Sequence, residues 1–190
     1  RSLSLFSYVE WCLWNADDDM KNFQRNLSIG EVEVVGSSIF HKTEYRERRN
    51  HYAVYSVNAP IVGFDTIRDE FLGAYRGADL PQAVENGSCT GSMASGWAPV
   101  AVHQLNVELA PGESKTFVFV LGYLENPQEE KWESHGVINK TRAWELLKKY
   151  DSEESVDAAF AQLQAYWKQL LAKYTVESAD EKVKTIQNNS

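Results

Sequence analysis

Val100-Ala101-Val102-His103-Gln104-Leu105-Asn106-Val107-Glu108-Leu109, then Ala110-Pro111-Gly112-Glu113, then Ser114-Lys115-Thr116-Phe117-Val118-Phe119-Val120-Leu121-Gly122-Tyr123-Leu124, is the stretch that decides the fold class. Two runs rich in β-branched, aromatic and aliphatic residues flank a short break. Proline presets its own φ and glycine accepts positive φ, so the break reads as a turn and the runs as strands. Upstream the same alternation recurs. Leu3, Leu5, Ser7, Val9, Trp11 and Leu13 are spaced by two, which predicts a long strand. Residues 31–35 alternate charged and apolar side chains, Gly36-Ser37-Ser38 turns the chain into a strand over 39–45, and 52–57 alternates again. A strand-like piece is expected near 71–75, followed by a long Gly-, Ser- and Asn-rich loop over 76–97. The sum is about six to eight antiparallel strands with turn signals between them, the pattern of a two-sheet sandwich.

Past Gly136 the period changes from two to between three and four. Ala143, Leu146, Leu147 and Tyr150 mark a short amphipathic helix. Ser152 is placed to cap a second, with Glu153 and Glu154 at the positive end of its dipole. Val156, Ala159, Phe160, Leu163, Trp167, Leu170, Leu171 and Tyr174 give that helix one apolar stripe. Strands first and helices after predict a mainly β chain: an antiparallel two-sheet sandwich, in part, over 1–136, then a two-helix linker over 137–190.

Composition narrows the function classes. Six Trp, nine Tyr and eight Phe suit a β-rich core, because flat side chains pack well on pleated surfaces. A net charge of −8 argues against a nucleic-acid partner. The one basic cluster, Arg46, Arg48 and Arg49, is interleaved with Glu44 and Glu47 and reads as a solvated face. No window approaches the roughly 18 apolar residues of a membrane span. Cys12 and Cys89 are too far apart in sequence to suggest a disulfide framework or a metal set, so both are expected reduced, in a cytoplasmic protein. Three Asn-X-Ser/Thr triplets, at Asn26, Asn86 and Asn139, match a pattern frequent by chance. Because Arg1 leads directly into an apolar run, the sequence is expected to be a fragment.

The residues alone point to no chemistry. No phosphate-binding glycine loop, zinc-type histidine pair or nucleophile elbow is present. His41, His51, His103 and His135 are scattered and read as structural. Asp17-Asp18-Asp19 lacks the spaced ligands of a calcium loop and reads as solvated surface, so no metal is expected. Gly91-Ser92-Met93-Ala94-Ser95-Gly96 reads as a plain flexible connection.

Continuous segments resemble one family. Phe6-Ser7-Tyr8-Val9-Glu10-Trp11-Cys12-Leu13-Trp14-Asn15-Ala16 is similar to a signature of the cellobiose phosphorylases, as is Asn22-Phe23-Gln24-Arg25-Asn26-Leu27-Ser28-Ile29-Gly30-Glu31-Val32-Glu33-Val34. The resemblance runs on through residues 41–55, Gly63-Phe64-Asp65, Ala94-Ser95-Gly96-Trp97, Leu121-Gly122-Tyr123-Leu124-Glu125-Asn126-Pro127, Glu130-Lys131-Trp132-Glu133 and Val137-Ile138-Asn139-Lys140. Lys184 to Ser190 departs from it.

The resemblance implies an inverting disaccharide phosphorylase, a transferase that cleaves cellobiose with inorganic phosphate to α-glucose 1-phosphate and glucose. It implies an N-terminal sandwich and helical linker followed by an (α/α) barrel that carries the catalytic Asp and the phosphate site. This chain then corresponds to the later sandwich and the linker, with no catalytic residue of its own and no cofactor beyond phosphate as co-substrate. Phosphate is the nucleophile, so one catalytic carboxylate suffices where a hydrolase needs two.

The resemblance also implies that Phe23, Gln24 and Arg25 border the sugar-acceptor site, probing hydroxyls with the planar guanidinium and a sugar face with the ring, in a homodimer. The alternative for Arg25 is a salt bridge to Asp18, Asp19 or Glu31, with Phe23 in the core. A sibling specificity, for chitobiose or cellobionate, is equally open. The rival reading of the whole chain is a free-standing carbohydrate-binding or scaffold sandwich.

Overall fold

Alternating serines and apolar residues put one face of strand β1, Ser2–Glu10, inward and the other outward. The computed structural model describes residues 1–11, 31–42, 50–96, 99–173 and 178–183. Three sheets form among them. Sheet A has the order β1-β6-β5, with β5 at Gly63–Ile67 and β6 at Pro99–Glu108. Sheet B has the order β2-β3-β4-β7, with β2 at Glu31–Val35, β3 at Ser38–Lys42, β4 at His51–Val57 and β7 at Phe119–Glu125. A small hairpin pairs β8, Trp132–Ser134, with β9, Val137–Ile138. Every pairing is antiparallel. The protein is mainly β, as expected.

The core lies in three layers. Between the sheets, Val32, Ile39, Tyr55, Ala94 and Ala101 are buried, with Val9, Trp11, Phe64, Ile67 and Phe119 packed on them. On the outer face of sheet A, Val100 and Val102 pack under Phe71, Leu72 and Ala83. On the outer face of sheet B, Phe40, Tyr52 and Val54 meet Ile138 and Ala143. Each such large side chain contributes about 1.5–3 kcal/mol by leaving water. Gly122 leaves room for this outer layer: a Cβ there would lie 2.6 Å from Leu146 Cδ2 and 3.1 Å from Val54 Cγ1, so both side chains would have to shift.

Four expectations need correction. The piece near 71–75 is not a strand. A short helix, α1, spans Arg68–Leu72 and closes with Gly73 N–H on Asp69 C=O, because the adjacent pair Phe71 and Leu72 is buried together against sheet A. The loop over 76–97 contains a second short helix, α2, at Gln82–Asn86, ended by Gly87 in the left-handed region. The turn at 110–113 forms, with Glu113 N–H on Ala110 C=O, but the second strand begins at Phe119 and not at Ser114. β6 enters sheet A and β7 enters sheet B, because residues 114–118 carry the chain across before the second ladder begins. The run 91–96 is no plain connection, as shown below.

The chain divides into two compact units, residues 1–150 and 151–190. Helix α3, Thr141–Lys149, belongs to the first and packs Ala143 against sheet B. In the second, α4 spans Glu153–Leu171. Ser152 caps it as expected: its hydroxyl accepts from Ser155 N–H while the Ser155 hydroxyl accepts from Ser152 N–H, a reciprocal capping box.

Candidate functional site

One end of the sandwich gathers the segments of interest. The β2–β3 register sets Glu31 against Lys42, the β3–β4 register sets Lys42 against Tyr52, and the β4–β7 register sets His51 against Glu125. These pairs place the start of β2, the end of β3, the start of β4 and the end of β7 at one pole. Trp11, just past β1, stacks on His41 at 5.4 Å and brings the end of β1 there too. The segments 12–30 and 43–49 therefore both leave from and return to this pole. Phe23, Gln24 and Arg25, and the basic cluster Arg46, Arg48 and Arg49, belong to those segments and lie outside the described residues.

The described surface at this pole is charged and tightly held. Lys42 and Lys140 are buried lysines. Lys42 pairs with Glu31 and donates to Gly136 C=O at 2.7 Å. Lys140 pairs with Glu33 at 2.5 Å and donates to Ile138 C=O at 2.9 Å. Glu33 also accepts from Ile138 N–H at 2.9 Å. Burying an ammonium is costly unless it is paired and hydrogen-bonded, and both conditions are met here. The network fastens the β8–β9 hairpin to sheet B. Trp132, exposed on that hairpin, has the Lys131 ammonium 4.1 Å and the Lys42 ammonium 5.3 Å from its ring centre. His51, beside Glu125 at 3.4 Å, also donates to or accepts from the Tyr123 hydroxyl.

Sequence reasoning missed this platform. Lys140 comes from about 100 residues beyond Glu33 and Lys42, and no local pattern announces a pair made by the fold.

Three ionisable groups elsewhere are engaged in structure. Asp65 is fully buried, and its carboxylate accepts from Thr90 N–H and hydroxyl and from Ser92 N–H and hydroxyl at 2.6 to 3.1 Å. His103 lies between the sheets, stacked on Tyr55 at 4.8 Å with Nδ1 3.3 Å from Ser7 Oγ. Burial holds its pKa down to about 4, so it is neutral at pH 7. Burial pushes the Cys89 thiol up to about 12, aided by the Asp65 carboxylate, which leaves it unreactive as a nucleophile. The Tyr8 hydroxyl holds the Glu10 carboxyl below its ordinary range, with Arg68 assisting. Among the described residues, no group of three or more His, Cys, Asp or Glu is placed to hold a metal ion.

The family model of the glycosyl hydrolase 94 supersandwich domain matches residues 1–153. The chain belongs to this family. Among its relatives is an N,N'-diacetylchitobiose phosphorylase of Vibrio proteolyticus, 29% identical over 192 residues, which takes in 99% of this chain and 22% of that protein. The counterpart from Vibrio furnissii is 28% identical, again over 99% of this chain and 22% of its own length. A 3-O-beta-D-glucopyranosyl-beta-D-glucuronide phosphorylase of Paenibacillus borealis is 26% identical over 68% of this chain and 15% of its own. The chain thus spans about a fifth of the length of the phosphorylases it matches most fully. The supersandwich is the domain expected from the resemblance, and its sheets are those described above.

Proposed function

We propose that this chain is the supporting sandwich of a disaccharide phosphorylase, carrying no catalytic group and bordering the acceptor-sugar site from the pole where residues 12–30 are rooted. The observation that carries the reading is the match of the supersandwich family over residues 1–153. Its support in the structure is that the buried Asp65, His103, Lys42 and Lys140, and the half-buried Glu33, are each bound to other parts of the fold.

Phe23, Gln24 and Arg25 are the proposed sugar contacts, with the guanidinium on acceptor hydroxyls and the ring on a sugar face. Inorganic phosphate is the co-substrate and no further cofactor is called for. Cellobiose is the proposed disaccharide. N,N'-diacetylchitobiose is a second reading, favoured by the printed activity of the two Vibrio relatives. The working enzyme is proposed to be a cytoplasmic homodimer; no helix among the described residues is long and apolar enough to cross a membrane.

The test is made in the phosphorylase polypeptide that carries this domain, run in the synthetic direction with α-glucose 1-phosphate. Arg25→Ala is expected to raise the KM for the acceptor sugar about tenfold, the loss of one charge-assisted hydrogen bond, while the KM for α-glucose 1-phosphate stays put. Glucose and N-acetylglucosamine, compared as acceptors, separate the two disaccharides. A variant that keeps the wild-type acceptor KM removes Arg25 from the site. Tight binding of either disaccharide by the 190-residue chain alone would favour a free-standing carbohydrate-binding module instead.

A further inference from the structure

The pole from which residues 12–30 and 43–49 leave is closed by one buried ammonium. Glu31 is the first residue of β2 and Lys42 the last of β3, and they stand opposite each other. Among the described residues theirs is the last rung of that ladder on this side. Residues 12–30 run up to Glu31 and residues 43–49 start from Lys42, so one rung holds an end of each segment. Across it the Lys42 ammonium pairs with the Glu31 carboxylate.

Two features set this apart from a surface ion pair, which stabilises little. Lys42 is 6% exposed, whereas a lysine ordinarily keeps its ammonium in water. The ammonium is also held from a second element. It donates to Gly136 C=O at 2.7 Å, between β8 and β9, and lies 3.9 Å from Glu33 Oε1 and 5.3 Å from the ring centre of Trp132. Glu31 is held differently. Its side chain is 55% exposed, so Lys42, and not packing, sets where the carboxylate lies. Its backbone is bridged on the other side to Ser95.

A ladder frays from its last rung, and an opposite-charge pair across that rung opposes the fraying. One opened rung releases roughly 3.3 Å of chain. A misplacement of about 1 Å is enough to spoil a substrate-positioning contact. Arg25 lies six residues before Glu31, close enough along the chain for the state of this rung to reach it.

We propose that Lys42 is a positioning residue for the acceptor sugar: its ammonium locks the root of residues 12–30, and so sets where that segment, Arg25 included, meets the sugar. Lys42 itself makes no sugar contact. The proposal deepens the acceptor-site reading given above and rests on it.

The test is steady-state kinetics of the phosphorylase polypeptide in the synthetic direction. Lys42→Met keeps the apolar stem and removes the charge. The Glu31 carboxylate it abandons is exposed and stays solvated, and Glu33 keeps Lys140, so the fold is expected to hold. The KM for the acceptor should rise about fivefold while the KM for α-glucose 1-phosphate stays put. Lys42→Arg, which restores the charge, should return the acceptor KM most of the way. Glu31→Gln, at the exposed partner, should reproduce the rise even where Lys42→Met is too unstable to assay. The double variant should be no worse than either single one, because both remove the same pair. Equal rises in both KM values, no rescue by arginine, or effects that simply add would each overturn the proposal. An unmoved acceptor KM in Lys42→Met beside a raised one in Arg25→Ala overturns positioning by Lys42 and leaves the acceptor reading intact. An unmoved KM in both overturns the two together. A rise in Lys42→Met alone upholds the positioning and shifts the sugar contact from Arg25 to another residue of the segment.

Discussion

The closed and open sides of the sandwich solve the same problem by opposite means. At the β5/β2 side the edge backbone groups are taken up by a crossing segment, and polar side chains do the joining. Asp65 gathers Thr90 and Ser92, the Thr66 hydroxyl donates to Ser92 C=O at 2.9 Å, and Ala94 N–H returns to the same hydroxyl at 2.7 Å. At the β1/β7 side, Leu3, Leu5, Leu121 and Tyr123 end in solvent. The lesson is that exposure at a sheet edge is informative only with the facing known. Leu3 would be an unremarkable surface leucine on an outer face. On an inner face it marks where the core between the sheets stops.

The contrast can be broken most severely at the closed side. Asp65→Ala removes the buried carboxylate that the Thr90 and Ser92 donors share and should cost about 3–5 kcal/mol, read as a shift in the urea midpoint. A loss under 1 kcal/mol, roughly the value of one exposed hydrogen bond, would mean that the segment 91–96 is not a fastening.

Between the two sides sits His103, whose folded pKa of about 4 lies below its ordinary 6.5. In that window the unfolded chain binds the proton that the folded chain refuses. The neutral ring therefore contributes full stability above pH 6.5, and that stability is lost as pH falls toward 4. The expected loss is about 3 kcal/mol, and His103→Phe should flatten that part of the pH–stability curve. Equal curves for wild type and variant would contradict it.

At the open side, Leu3→Ser and Leu121→Ser should each cost less than about 1 kcal/mol in the monomer, because little apolar area is withdrawn from water there. A larger cost would show that the side is already covered. The smallest effect sought is at Cys89: with its thiol pushed up to about 12, it should resist alkylation at pH 8 until the chain unfolds.

Local patterns carried much of the fold. The alternation of Leu3, Leu5, Ser7 and Val9 gave β1, and the stripe from Val156 to Leu171, with its Ser152 cap, gave α4. Patterns failed where tertiary context decided. Phe71 and Leu72 are consecutive apolar residues, which suit a strand buried on both faces as well as one turn of helix pressed on a sheet. The Ala110–Glu113 turn announces a reversal, but no residue in it says which sheet receives β7.

The candidate site was legible only through likeness to a family. Phe23, Gln24 and Arg25 form no catalytic pattern by themselves. The lysine and glutamate platform is assembled from residues 31–42 and 136–140, far apart in the first unit.

The central proposal is that this sandwich supports a phosphorylase whose chemistry lies outside it. The direct measurement is inorganic phosphate release from α-glucose 1-phosphate, with glucose or N-acetylglucosamine as acceptor, by the 190-residue chain and by the phosphorylase polypeptide that carries it. Release by the longer polypeptide and none by the chain is the predicted result. Release by the chain alone would contradict the account, and would place a catalytic carboxylate among these residues.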